Sequence, residues 1–83
     1  MNPDPLVRSI VIALMLLENS DESEVHPDVA MAGLESIAAE LHQLDPSDLA
    51  DFVTSVERLA DAEEDPARKE FARSVPIMLG LVT

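Results

Sequence analysis

A cysteine-free chain of 83 residues has room for one domain with one modest core, and it excludes disulfides, thiolate nucleophiles and cysteine-ligated metals. Seventeen acids against five Lys and Arg give a formal charge of -12, which speaks against a nucleic-acid or anionic-membrane binder and for a basic partner or solubility alone. The apolar share of 47% predicts a folded chain rather than a disordered one, and the lack of cysteine fits a reducing cytoplasm.

The first element is the run IVIALMLLENSDESE, residues 10–24. Ile10 to Leu17 supplies eight consecutive apolar residues, against the roughly 20 that a membrane span requires. The preceding MNPDPLVR opposes Asp4 to Arg8 and lacks the basic region of an export signal. No other segment offers a strand to pair with Ile10-Val11-Ile12, and Ala13 to Leu17 are good helix formers, so the reading is a helix from about Pro5 to Glu18. Leu6, Ile10, Ala13, Leu14 and Leu17 share one face, while Val11, Ile12, Met15 and Leu16 cover the rest. A helix apolar all round is either the centre of its domain or covered by another chain. The second case makes Val11, Ile12, Met15 and Leu16 a candidate homodimer face.

Asp4-Pro5, His26-Pro27, Asp45-Pro46 and Asp65-Pro66 each mark a helix start, because proline suits the first helical position and Asp is a good N-cap. The second helix is predicted over Pro27–Leu44, with Ala30, Leu34, Ile37, Leu41 and Leu44 inward and Ala38 beside them. The third is predicted over Pro46–Glu64, with Leu49, Phe52, Val53, Val56, Leu59 and Ala60 inward and Asp51, Thr54, Arg58 and Asp61 outward. A fourth begins at Pro66 and buries Ala67, Phe71, Val75 and Met78 until Pro76 kinks or ends it. Ile77 to Val82 forms an apolar tail with Gly80 as its stop. Short connections make antiparallel neighbours the default, so residues 1–83 are expected to form a single all-α domain, a small antiparallel up-down bundle of four helices with the last short and kinked near Pro76.

In that topology the first and third connections lie at one pole. Glu18, Asp21, Glu22, Glu24 and Asp28 would converge there with Asp61, Glu63, Glu64 and Asp65. Between Glu18 and Asp65 the chain holds fifteen acids and one base, Arg58, while Arg8, Arg68, Lys69 and Arg73 lie toward the ends. The pole reads either as a solvated surface with local pairs such as Glu64 to Arg68 or as a docking face for a basic protein.

Catalytic and metal motifs are not recognisable. The run Asp21 to Asp28 lacks the glycine-containing spacing of a calcium loop, and His26 with carboxylates is a poor zinc set. His26 reads as the residue that opens the second helix and His42 as a boundary residue, and neither has a serine at a nucleophile spacing. Ser47, in LDPSDLADFV, invites comparison with carrier proteins, whose attachment serine opens a helix as Asp-Ser-Leu. Here the order is Pro46-Ser47-Asp48-Leu49, and a helix turn capped by Asp45 with Asp48 three residues on accounts for it. No cofactor, no metal and no enzymatic activity are expected.

In size, charge and expected four-helix architecture the whole chain resembles the small acidic immunity proteins of bacterial toxin systems. That resemblance implies a non-enzymatic protein that covers a basic toxin surface with carboxylates around an apolar anchor. The tyrosine pair of those proteins has no counterpart, because the chain has no Tyr or Trp, which leaves Met15, Leu16 or Met31 as anchors. Two alternatives stand beside it. One is a nucleic-acid-mimicking inhibitor of the anti-CRISPR type, for which Asp48, Asp51, Glu57 and Asp61 give a broken row; the other is a homodimeric adaptor or chaperone built on the first helix.

Overall fold

The computed structural model describes residues 1–82. It consists of α1 (Asp4–Asn19), α2 (Pro27–Leu41), α3 (Pro46–Ala62) and α4 (Pro66–Met78), with no strand among the described residues. The chain is a small all-α bundle, as its periodicity predicts, and α4 is the shortest of the four. No helix among the described residues is long and apolar enough to cross a membrane.

Proline chemistry sets three of the four helix starts as expected. His26, Asp45 and Asp65 are N-caps with Pro27, Pro46 and Pro66 directly after them. His26 Nδ1 accepts from Asp28 N at 3.1 Å, and Asp65 Oδ2 accepts from Arg68 N at 2.9 Å. Asp45 makes no side-chain cap, so the capping pair expected from Asp45 and Asp48 is not formed. At the first start the helix begins one residue early. Asp4 is already helical, Asn2 Oδ1 accepts from Asp4 N at 3.1 Å, and the Asp4 carboxylate is free to reach another helix.

The core is built by α1, α3 and α4, with Val7, Val11, Leu14, Phe52, Val56, Ala60, Ala72, Val75 and Leu79 buried. The inward line of α1 is therefore Val7-Val11-Leu14, whereas Leu6 and Ala13, expected inside, are exposed. A helix apolar on every side has no periodicity from which to choose its inner face, and packing against all three other helices makes the choice. In α3 the stripe is as predicted: Phe52, Val56 and Ala60 are buried, Leu49, Val53 and Leu59 half-buried, and Asp51, Thr54, Arg58 and Asp61 outside. Ala67 is exposed, contrary to expectation, and Ala72 is the alanine of α4 that joins the core.

Helix α2 buries no residue completely. Leu34, Ile37, Ala38 and Leu41 lie half-buried against the core, and its main contact is α1. Gly33 allows the close approach: a Cβ there would stand 3.3 Å from Leu17 Cδ1. The helix stops at Leu41, so Leu44, placed inside by periodicity, falls in the connection and is 39% exposed.

Pro76 lies inside the last turn of α4 rather than ending it at once. The helix runs two residues further, to Met78, and closes on Gly80, which has φ of +69°. Gly80 N donates to Ile77 O at 3.0 Å and Leu81 N to Pro76 O at 2.8 Å, the paired bonds of a Schellman stop, which use a left-handed residue that glycine supplies without strain. Leu79 is thereby turned into the core, and its carbonyl lies 3.2 Å from His42 Nε2, a tie between the end of α2 and the end of α4.

Candidate acidic interface

The connection between α1 and α2 is a short ordered turn. Glu24 N and Val25 N donate to Asp21 O at 2.9 and 3.0 Å, and Asp21 Oδ1 accepts from Ser23 N at 3.1 Å. Val25 is half-buried and holds the turn to the body of the protein, which leaves Asp21, Glu22 and Glu24 in solvent. Glu18, on the last turn of α1, and Glu22 flank a cleft of about 280 Å³ whose other walls are Leu17, Ser20, Val25, Pro27, Ala30 and Met31. Carboxylates beside an aliphatic wall are complementary to a lysine or arginine side chain, which has a methylene stem and a charged head.

Charge is distributed unevenly over the fold. From Ser9 to Glu57, a span that includes all of α2, there is no Lys or Arg, whereas the five bases sit on α1, α3 and α4. Asp28, Glu35 and Glu40 on α2 are all exposed.

The nine acidic residues singled out from sequence occupy different local settings. Glu18 and Glu22 share the cleft, and Asp21, Glu24 and Asp28 surround its approach in sequence. Asp28 Oδ2 is 3.9 Å from His26 Nδ1. Asp61 stands 3.7 Å from Arg73 in an exposed pair. Glu63 is half-buried, its Oε1 accepts from Asp65 N at 3.1 Å, and it lines a separate groove of about 360 Å³ that also holds Arg8 and Arg68. Asp65 is the α4 cap, and Glu64 is exposed. Of the nine, Asp61 and Asp28 are the ones within 4 Å of a basic side chain among the described residues; Asp21, Glu63 and Asp65 accept from backbone N–H groups of their own turns, and Glu18, Glu22, Glu24 and Glu64 have no basic partner there. On the apolar side, Ile12 and Leu16 are 61% and 69% exposed, Met15 is half-buried and Val11 is a core residue.

One cluster carries no readable signal in the sequence. Ser55, the buried polar side chain of the core, donates to Asp4 Oδ1 at 3.0 Å, and Arg58 Nη2 donates to the same oxygen at 2.8 Å and to Ser55 Oγ at 2.9 Å. The Arg58 and Ser55 hydrogen bonds hold the Asp4 carboxyl below its ordinary range. A carboxylate so stabilised is a poor base toward the serine hydroxyl at neutral pH, and the trio clamps the start of α1 to α3. Ser55 and Arg58 lie 51 and 54 residues from Asp4 in sequence, beyond any local pattern.

No protein-family model, curated protein or solved structure matches the chain.

Proposed function

We propose that the protein is a non-enzymatic acidic interaction protein that binds and neutralises a basic protein partner, in the manner of immunity proteins and antitoxins. The observation that supports this reading most directly is the cleft between the end of α1 and the start of α2, where Glu18 and Glu22 stand beside Leu17, Val25, Ala30 and Met31. A lysine or arginine of the partner packs its stem on the aliphatic wall and places its head between the carboxylates. Asp21, Glu24 and Asp28 extend the negative field and accelerate the encounter, and no Lys or Arg of the α2 side competes for them. Met31, 53% exposed at the edge of the cleft, is the nearest apolar anchor.

The test is capture of partners from the source cell at low salt, with elution by rising salt, followed by reconstitution of the complex from purified components. The same measurement is made with Glu18→Gln and Glu22→Gln together, and with Asp21, Glu22 and Glu24 changed to Ser. A basic protein that binds the native chain, elutes with salt and is lost in both variants supports the reading. Binding that survives both variants, or a partner that is not basic, removes the cleft from function.

A further inference from the structure

The groove of about 360 Å³ between α1, α3 and α4 joins an aliphatic wall to a cationic edge. The wall is Ile12 and Met15 of α1, Leu59 of α3 and Ala72 of α4, and the edge is Arg8 and Arg68. Its volume lies within the range of small-ligand sites. In a chain of seventeen acids and five Lys and Arg, an arginine finds a carboxylate easily. Arg58 and Arg73 do so, at 2.8 Å from Asp4 and 3.7 Å from Asp61. Arg8 and Arg68, both exposed, have no carboxylate within 4 Å among the described residues. Asp4, one turn before Arg8, is taken up by Arg58 and Ser55. Glu63, the acid of the groove, accepts from Asp65 N, and the local pair expected between Glu64 and Arg68 is not formed. Two guanidinium groups therefore border an apolar groove with their donors turned to no acid of the protein.

The chemistry of the lining selects the occupant. A guanidinium fork matches a carboxylate or a phosphate. A formal charge of -12 repels a polyanion or an acidic protein, which restricts the anion to a small one. Glu63 on the same groove disfavours a dianionic phosphate and leaves a singly charged carboxylate as the better match. The walls hold no aromatic ring on which a planar tail could stack and no hydroxyl or amide side chain to receive a polar one. The tail that fits is an aliphatic chain, to whose shape the flexible Met15 adapts. Arg8 to Met15 spans about 10 Å along α1, the length of roughly eight carbons. Such a chain covers Ile12, which is 61% exposed in the free protein.

We infer that this groove is a binding site for a small amphipathic carboxylate, an aliphatic acid whose head pairs with Arg8 and Arg68 and whose chain lies on Ile12, Met15, Leu59 and Ala72. The groove shares no lining residue with the cleft of Glu18 and Glu22, so either site can fail without the other.

The test is titration of the full chain with sodium octanoate, below its micelle-forming range, followed by amide NMR spectra. Saturable shifts centred on Ile12, Met15, Leu59 and Ala72 are expected, with a Kd of roughly 0.1–1 mM for a ligand this small. Acetate, the head without the tail, and octyltrimethylammonium, the same tail with a cationic head, are each expected to bind at least about tenfold more weakly. Arg8→Gln and Arg68→Gln, at exposed positions, are each expected to weaken octanoate about three- to tenfold with circular dichroism unchanged. Arg73→Gln makes the same charge change off the groove and is expected to leave octanoate binding within about twofold. No saturable shift, shifts centred elsewhere, octyltrimethylammonium binding as tightly as octanoate, or equal losses in all three arginine variants overturns the inference. So does a rise in sedimenting mass that accounts for the same shifts, which would give the groove to a second copy of the chain.

Discussion

Helices α2 and α3 are similar in length and both begin with proline, yet they are held in opposite ways. Helix α3 buries Phe52, Ser55, Val56 and Ala60, packs on α1 and α4, and is tied to the start of α1 through Asp4 and Arg58. Helix α2 buries nothing completely, leans on α1, and keeps Val29, Met31 and three carboxylates in solvent. The difference shows that an amphipathic pattern alone does not make a helix part of the core. What decides is how many neighbours cover the apolar stripe, and α2 has essentially one long neighbour. The same half-covered position leaves the α2 side available to a partner, with its acids and its cleft outward.

The contrast is tested most strongly by truncating the two sides. Leu14→Ala, at the fully buried centre of α1, is expected to cost about 2–5 kcal/mol in urea unfolding, a large part of the stability of a domain this small. Leu34→Ala, half-buried on α2, is expected to cost only about 1 kcal/mol, because a partly wet side chain has less transfer free energy to lose and leaves no sealed cavity. Equal costs would show that α2 is as deeply integrated as α3. Native-state hydrogen exchange sharpens the point residue by residue: the amides of α2 are expected to exchange through local opening at rates well above those of Val56 and Val75, whose protection approaches the global limit.

The clamp on the α3 side gives smaller effects. Ser55→Ala is expected to cost about 1 kcal/mol through loss of a buried hydroxyl that bonds both Asp4 and Arg58. The pH dependence of Asp4→Asn tests the ion pair. The folded-state carboxyl is held below its unfolded value by Arg58 and Ser55, so its stabilisation is present at neutral pH and is lost as pH falls through the folded value. Asp4→Asn should therefore be less stable than the native chain at pH 7, and the two should converge in acid. A constant gap across pH would mean that the carboxylate charge contributes nothing. The smallest expected change is Gly33→Ala, where a gain in helix propensity opposes a 3.3 Å approach to Leu17 Cδ1. Leu17 is half-buried and its methyl has room to turn, so a gain of a few tenths of a kcal/mol is expected, read from the thermal midpoint.

Of the candidate site, the sequence identifies which residues are acidic and which turn carries them, but not how they divide. Asp21, Glu22 and Glu24 stand on a connection that any helix assignment would leave in solvent. Glu63 and Asp65 bond within their own turn, and Asp61 pairs with Arg73, distinctions set by distances of a few ångströms between elements. The cleft was equally hidden, because its walls come from the end of α1, the connection and the start of α2 at once. On α1 the sequence shows an abundance of apolar residues without choosing a face. Val11, counted there with Ile12, Met15 and Leu16, proves to be core.

By itself the sequence determined the four helices, because proline at the first helical position, the 3.6-residue apolar period of the later helices and Gly80 are local effects that act within a few residues. It also determined that the stretch from Glu18 to Asp65 would be strongly negative. Only the tertiary structure decided that α1 turns Val7, Val11 and Leu14 inward, that α2 lies at the edge, and that Asp4 meets Ser55 and Arg58 across more than 50 residues. Those outcomes depend on which surfaces meet when all four helices compete for one small core, and no local pattern encodes the result of that competition.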